Sequence, residues 1–144
     1  MHHPLSKEEE QAVIEAIRTA ESGTSGEIRV HFERRVKGEV LDNAHQIFLQ
    51  LGMHKTRLRN ATMIVLFPES KKFAILGDKG INETVPENFW DETRDLMGGF
   101  FRKGEIAHGL CAGIAHIGEK LKAYFPAEED NPNELSDELS RNDA

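Results

Sequence analysis

The chain has a single cysteine, Cys111, in 144 residues. That count excludes an internal disulfide and any paired-cysteine metal motif. Cys111 lies within an apolar helical pattern and reads as a buried thiol rather than a nucleophile. No apolar run approaches the ~20 residues of a membrane span. The start, Met-His-His-Pro-Leu-Ser-Lys, has no signal-peptide core. Lacking both targeting and disulfides, the chain is expected in the cytoplasm. Internal repeats and low-complexity tracts are missing too. There is no GxSxG, P-loop or HxxxH, and His108 and His116 are eight apart, so nucleophile-elbow, nucleotide and zinc-helix chemistry have no motif to rest on. A basic stripe is also lacking. The formal net charge is −7, which excludes nucleic acid as a partner.

What is present describes one soluble domain, 38% hydrophobic and 30% charged. The charge is concentrated at one end. From Ala127 onward seven acids face one base, Arg141, so that segment carries −6 of the −7. Residues 1–126 are therefore expected to form the domain. Residues 127–144 are expected to form an acidic, disordered extension, with Leu135 and Leu139 at helical spacing.

Along the domain, Ser6-Lys7-Glu8-Glu9 is a capping box that opens a helix lined by Val13, Ile17 and Ala20 and closed by Gly23. Glu27 to Glu33 alternates, with Ile28, Val30 and Phe32 inward and Arg29, His31 and Glu33 outward, as in a half-buried strand. Leu41, Ala44, Ile47, Phe48 and Leu51 restore the helical period before Gly52. Ala61 to Phe67, ATMIVLF, is continuous and apolar, as a central strand covered on both faces requires. Pro68-Glu69-Ser70-Lys71 turns it into KFAIL, completing a hairpin. A third helix is predicted from Pro86 through Phe89, Trp90, Thr93, Leu96, Met97 and Phe100, fraying at Gly98-Gly99. A last helix is predicted from Ile106 to Tyr124, its Gly109 and Gly113 suiting close approach to a sheet. The order α-β-α-β-β-α-α predicts an α/β/α sandwich around a mixed sheet with a mostly parallel core and one hairpin.

Topology sorts the polar residues between two poles. A crossover makes the first two strands parallel, and the hairpin reverses the third. The starts of strands one and two, at Glu27 and Asn60-Ala61, then share a rim with the end of strand three at Gly77-Asp78 and the following Asn82 and Glu83. Glu27, Asn60, Asp78, Asn82 and Glu83 are hard oxygen donors, the kind that Ca²⁺ or Mg²⁺ takes. Gly77 and Gly80 would let backbone carbonyls turn inward. The same residues are also ordinary turn chemistry, and Glu27 has Arg57 and Arg59 as alternative partners. At the opposite pole Arg34, Arg35, Lys37, Lys71 and Lys72 form a basic rim suited to a phosphate or an acidic partner.

The runs TSGEIRVHF, RNATMIVLFPESKKFAILGDKGI and FWDE, and the helix after FFRKGEIAHGLCAGI, resemble the TPM domain family from about Leu5 to Phe125. That family includes thylakoid-lumen photosystem II repair proteins and many bacterial proteins. The resemblance implies a Rossmann-like α/β/α sandwich without a nucleotide fingerprint, a divalent-cation site at the strand-end loops, and an acid phosphatase activity among plant relatives. The family's Asp-Asn-Gly before the central strand matches Arg59-Asn60-Ala61, so its aspartate is lost and its asparagine kept. The family's Gly-Tyr-Gly-Leu-Glu matches Asp78-Lys79-Gly80-Ile81-Asn82, where Asp78 replaces a glycine and Asn82 a glutamate. Gly104-Glu105-Ile106 stands where the family often has Gly-Asp-Tyr. The expectation is a monomeric domain that binds Ca²⁺ or Mg²⁺ and serves as an interaction or assembly module for a protein partner. The alternative is a metal-dependent phosphatase in which Asp78, Glu83 and Asp91 are the nearby acids.

Overall fold

The computed structural model describes residues 4–128 and 139–142. Helix α1 spans Lys7–Glu21, strand β1 Glu27–Glu33, helix α2 Val40–Gln50 and strand β2 Ala61–Phe67. A 3-10 turn, Pro68–Ser70, leads into β3 at Lys72–Gly77. Then come the short α3 (Lys79–Asn82), α4 (Asp91–Arg102), α5 (Ile106–Tyr124) and a terminal β4 (Ser140–Asn142). The capping box forms as expected, Glu9 N donating to Ser6 Oγ at 3.1 Å and Ser6 N to Glu9 Oε1 at 2.9 Å.

The sheet order is β3-β2-β1-β4. β1 runs parallel to β2 and β4, and β3 is antiparallel to β2. Alternation divides the side chains of the sheet between two cores. Ile28, Val30, Phe32, Ile64, Leu66 and Ile75 pack with Val13, Ile17, Met97, Leu110, Ile114, Ile117 and Leu121 from α1, α4 and α5. Ala61, Met63, Val65, Phe67 and Ala74 pack with Ala44, Ile47 and Phe48 of α2. The result is the expected α/β/α sandwich, with β2 buried along its whole length. Among the described residues no helix is long and apolar enough to cross a membrane.

Five details depart from the sequence reading. The third helix starts at Asp91 rather than Pro86, because Phe89 and Trp90 are buried in the turn ahead of it and anchor its entry. It then continues through Gly98-Gly99, where Gly98 is buried against neighbouring side chains. The glycines of α5 serve helix contacts, not sheet contacts: a Cβ on Gly113 would meet Met97 of α4, and one on Gly118 would meet Ala20 of α1. His31 does not point to solvent and is 3% exposed. Finally, the extension is not detached at its far end, since Ser140–Asn142 extends the sheet beside β1. Residues 129–138, with Leu135, lie outside the described residues.

Candidate functional site

The predicted rim is built by strand register. Glu27 pairs with Ala61, and Asp78 N donates to Ala61 O at 2.9 Å. Glu27 alternates with Ile28, which belongs to the α1/α4/α5 core, so its side chain emerges on the α2 face. Asp78 continues the alternation of Ala74 and Leu76, which pack on that same face. Glu27, Ala61 and Asp78 therefore form one row across three strands, with the small Ala61 between two carboxylates. Adjacent strands lie ~4.8 Å apart, so the outer backbones of this row are about 10 Å apart. Glu27 is 4% exposed and Asp78 6%, and Glu27 Oε2 is shut off from solvent.

Asp78 is already engaged. Arg59 grips it with two hydrogen bonds, Nε to Oδ2 at 2.6 Å and Nη2 to Oδ1 at 2.9 Å, a paired geometry suited to guanidinium and carboxylate. Asp78 Oδ1 also accepts from Lys79 N at 2.8 Å and so caps α3. The Asp78 hydrogen bond raises the Arg59 pKa further, with Glu83 adding to the effect. Arg59 has a left-handed backbone, φ 52°. Arg57, like Arg59 expected as a partner of Glu27, is ion-paired with Glu128 at 2.9 Å.

The remaining predicted donors have different neighbours. Asn60 is buried and ties the strand starts together, its Nδ2 donating to Ser25 Oγ at 3.1 Å. Asn82 and Glu83 sit at the exposed end of α3. Asp91 is elsewhere, ion-paired with Arg94 in a groove it shares with His116, Glu119 and Lys120. The glycines flanking Asp78 do not turn their carbonyls inward. Gly77 O accepts from Asn82 Nδ2 at 3.0 Å and Gly80 O from Thr84 Oγ1 at 2.7 Å. Gly80 has no side chain because a Cβ there would come within 2.4 Å of Leu58 O and 2.6 Å of Arg59 O. Its neighbour is the chain's own α2–β2 connection.

Among the described residues no group of three or more His, Cys, Asp or Glu is placed to hold a metal ion. The Glu27–Asp78 row consists of two buried carboxylates, the ligand type that hard cations take. Its charge is met at Asp78 by Arg59. Sequence reasoning missed Thr62, buried at the second position of β2 with a hydroxyl that has no hydrogen-bond partner among the described residues. A threonine inside an apolar run carries no signal of that kind.

At the opposite pole Arg34 pairs with Glu69, which lowers the Glu69 pKa, while Arg35 and Lys37 stay exposed. Cys111 is half-buried against the core, and burial raises its pKa, consistent with an inert thiol.

The family model described as TPM domain matches residues 2–120. The chain is similar to the BA42 protein of the psychrophilic bacterium Bizionia argentinensis, known from an NMR structure. The two are 42% identical over 99% of this chain and 98% of that one, with a TM-score of 0.93. The fold recurs in the N-terminal domain of a P. gingivalis protein, at 21% identity over 84% of this chain and 78% of that one, TM-score 0.68. It recurs again in the N-terminal domain of the cg2496 protein of Corynebacterium glutamicum, at 14% identity over 92% and 84%, TM-score 0.66. No curated protein matches.

Proposed function

The chain belongs to the TPM domain family, and from that premise we propose that it is a binding module whose strand-start rim takes a divalent cation, calcium or magnesium. The supporting observation is the Glu27–Ala61–Asp78 row, two buried carboxylates on one face of the sheet with Ala61 between them in register. Asn60, Asn82 and Glu83 belong to the same strand-start pole and are the further oxygen donors a cation there would draw on. A bound cation would supply concentrated positive charge to carboxylates that burial otherwise penalises. Arg59 acts here as a tethered internal cation. Its side chain is 43% exposed, so it has solvent to move into, and cation affinity is reduced by the fraction of time it holds Asp78. The module would present this rim, or the domain surface it stiffens, to a protein partner.

Phosphate-ester hydrolysis is supported less well. A nucleophile or base must be free beside the reacting atoms. Asp78 accepts three hydrogen bonds, and Asp91 is in a different groove.

The test is an amide-resolved NMR titration with Ca²⁺ and, separately, Mg²⁺. Shifts are expected at Glu27, Asn60 and residues 77–83. Asp78→Asn should remove them, and Arg59→Gln should tighten binding about tenfold by releasing Asp78. Absence of shifts on this rim in Arg59→Gln at millimolar cation would refute the reading. Hydrolysis of a phosphate ester that disappears in Asp78→Asn would replace the module by an enzyme.

A further inference from the structure

β4 pairs with only the last three residues of β1, yet the side chains at this junction are tightly matched. Ser140 Oγ lies 2.7 Å from His31 Nδ1, and His31 Nε2 lies 2.8 Å from Glu33 Oε1. A carboxylate only accepts, so Nε2 carries the proton and Nδ1 accepts from the Ser140 hydroxyl. Asn142 Nδ2 reaches Glu33 Oε2 at 3.5 Å. His31 and Glu33 are both buried, and buried polar groups cost stability wherever they are left unsatisfied. A sheet edge that needed only closure would be served by apolar residues here. This one reads a hydroxyl and a carboxamide two residues apart, the repeat of a strand. Leu139, immediately before, packs against the core.

The matched segment is short. A bridge between Thr24 and Pro126 pins the chain near the start of β1, and 13 residues separate Pro126 from Ser140. That stretch can reach about 46 Å, whereas the distance from Thr24 along extended chain to His31 is about 23 Å. The chain between the two anchor points is therefore longer than the docked position of β4 requires. A segment parallel to β1 that continues beyond the Asn142 position heads toward the exposed Arg35 and Lys37.

We propose that the outer edge of β1 is an acceptor for an extended, acidic segment of a partner protein. Its pattern is an apolar residue, a hydroxyl residue, any residue and a carboxamide residue, followed by acids. The chain's own Leu139–Asn142 occupies the edge in cis as a tethered competitor. Backbone ladder bonds supply the affinity, and the His31–Glu33 pair supplies the specificity.

The probe is the unlabelled heptapeptide Glu-Leu-Ser-Arg-Asn-Asp-Ala, the last seven residues of the chain, titrated into isotope-labelled full chain. It should shift the amides of residues 31–33 and move those of residues 139–142 toward free-peptide positions. In the full chain carrying Ser140→Ala and Asn142→Ala the peptide should bind about tenfold tighter, because its competitor is weakened. Alanine at the peptide's own serine and asparagine should reverse that gain. The proposal is overturned if the tail-weakened chain, with an unchanged thermal unfolding curve, shows no shift along β1 at millimolar peptide. It is overturned equally if the double-alanine peptide binds as well as the parent. A concentration-dependent dimer that the peptide dissolves would replace the foreign partner by a second copy.

Discussion

At His31 the chain buries a titratable ring between a carboxylate and a hydroxyl. Burial is the largest influence and lowers the His31 pKa below its ordinary 6.5; the Glu33 hydrogen bond and charge oppose this, and Arg29 adds to the lowering. The folded state therefore favours the neutral ring. Its contribution to stability is complete above the unfolded value of 6.5 and is lost as pH falls through the folded value, where the unfolded chain binds the extra proton. The urea midpoint of the wild-type chain should fall between about pH 7.5 and about pH 5.5, and His31→Gln should flatten that slope. Equal slopes in both would show that the ring titrates as if exposed. The same residue marks where the site was hidden from sequence. Strict alternation assigned His31 to solvent, because period two separates faces and does not say what covers the second one. Glu27, Asn60 and Asp78 were legible as rim residues, since strand direction alone brings them together. Arg59 was expected as a partner of Glu27, and its grip on Asp78 was not legible; the left-handed backbone at φ 52° where it sits carries no signal in an arginine.

At the scale of elements, what could be read was whatever periodicity or capping controls. α1, β1, α2, β2, β3 and α5 were expected close to where they occur, from the capping box, the apolar spacing and the ATMIVLF run. The start of α4 was misplaced because Pro86 is a valid first helical residue, while the burial of Phe89 and Trp90 is tertiary. β4 carries no strand signal in Ser-Arg-Asn; partner side chains, not propensity, select it. The glycines of α5 show how helices reach their spacing. A Cβ on Gly118 would lie 2.7 Å from Ala20 Cβ and 3.1 Å from its Cα, so α1 itself would have to shift. Gly118→Ala gains about 1 kcal/mol of helix propensity, against an overpacking cost of about 1–3 kcal/mol. The expected net result is destabilisation, read as a lower urea midpoint with unchanged m. A higher midpoint would mean that α1 is free to move outward.

Across the whole molecule, stability should follow depth in the sheet rather than position in the chain. β2 is buried along its whole length between two cores, and its ladder bonds open only when both cores do. Among the described residues β4 contributes three residues at the edge of the sheet, paired with β1. Native-state hydrogen exchange separates these cases, because amides protected by global unfolding share one large opening free energy while locally opening segments exchange through a smaller one. The amides of residues 62–66 should exchange only with global unfolding and share its dependence on urea. Those of residues 140–142 should exchange at least about a hundredfold faster, with little dependence on urea, since their opening exposes little surface. Ser140→Ala with Asn142→Ala should accelerate the β4 amides further and leave β2 unchanged. Were β4 to exchange together with β2, the terminal strand would belong to the cooperative core, and its edge could not be lent to a partner without unfolding the domain.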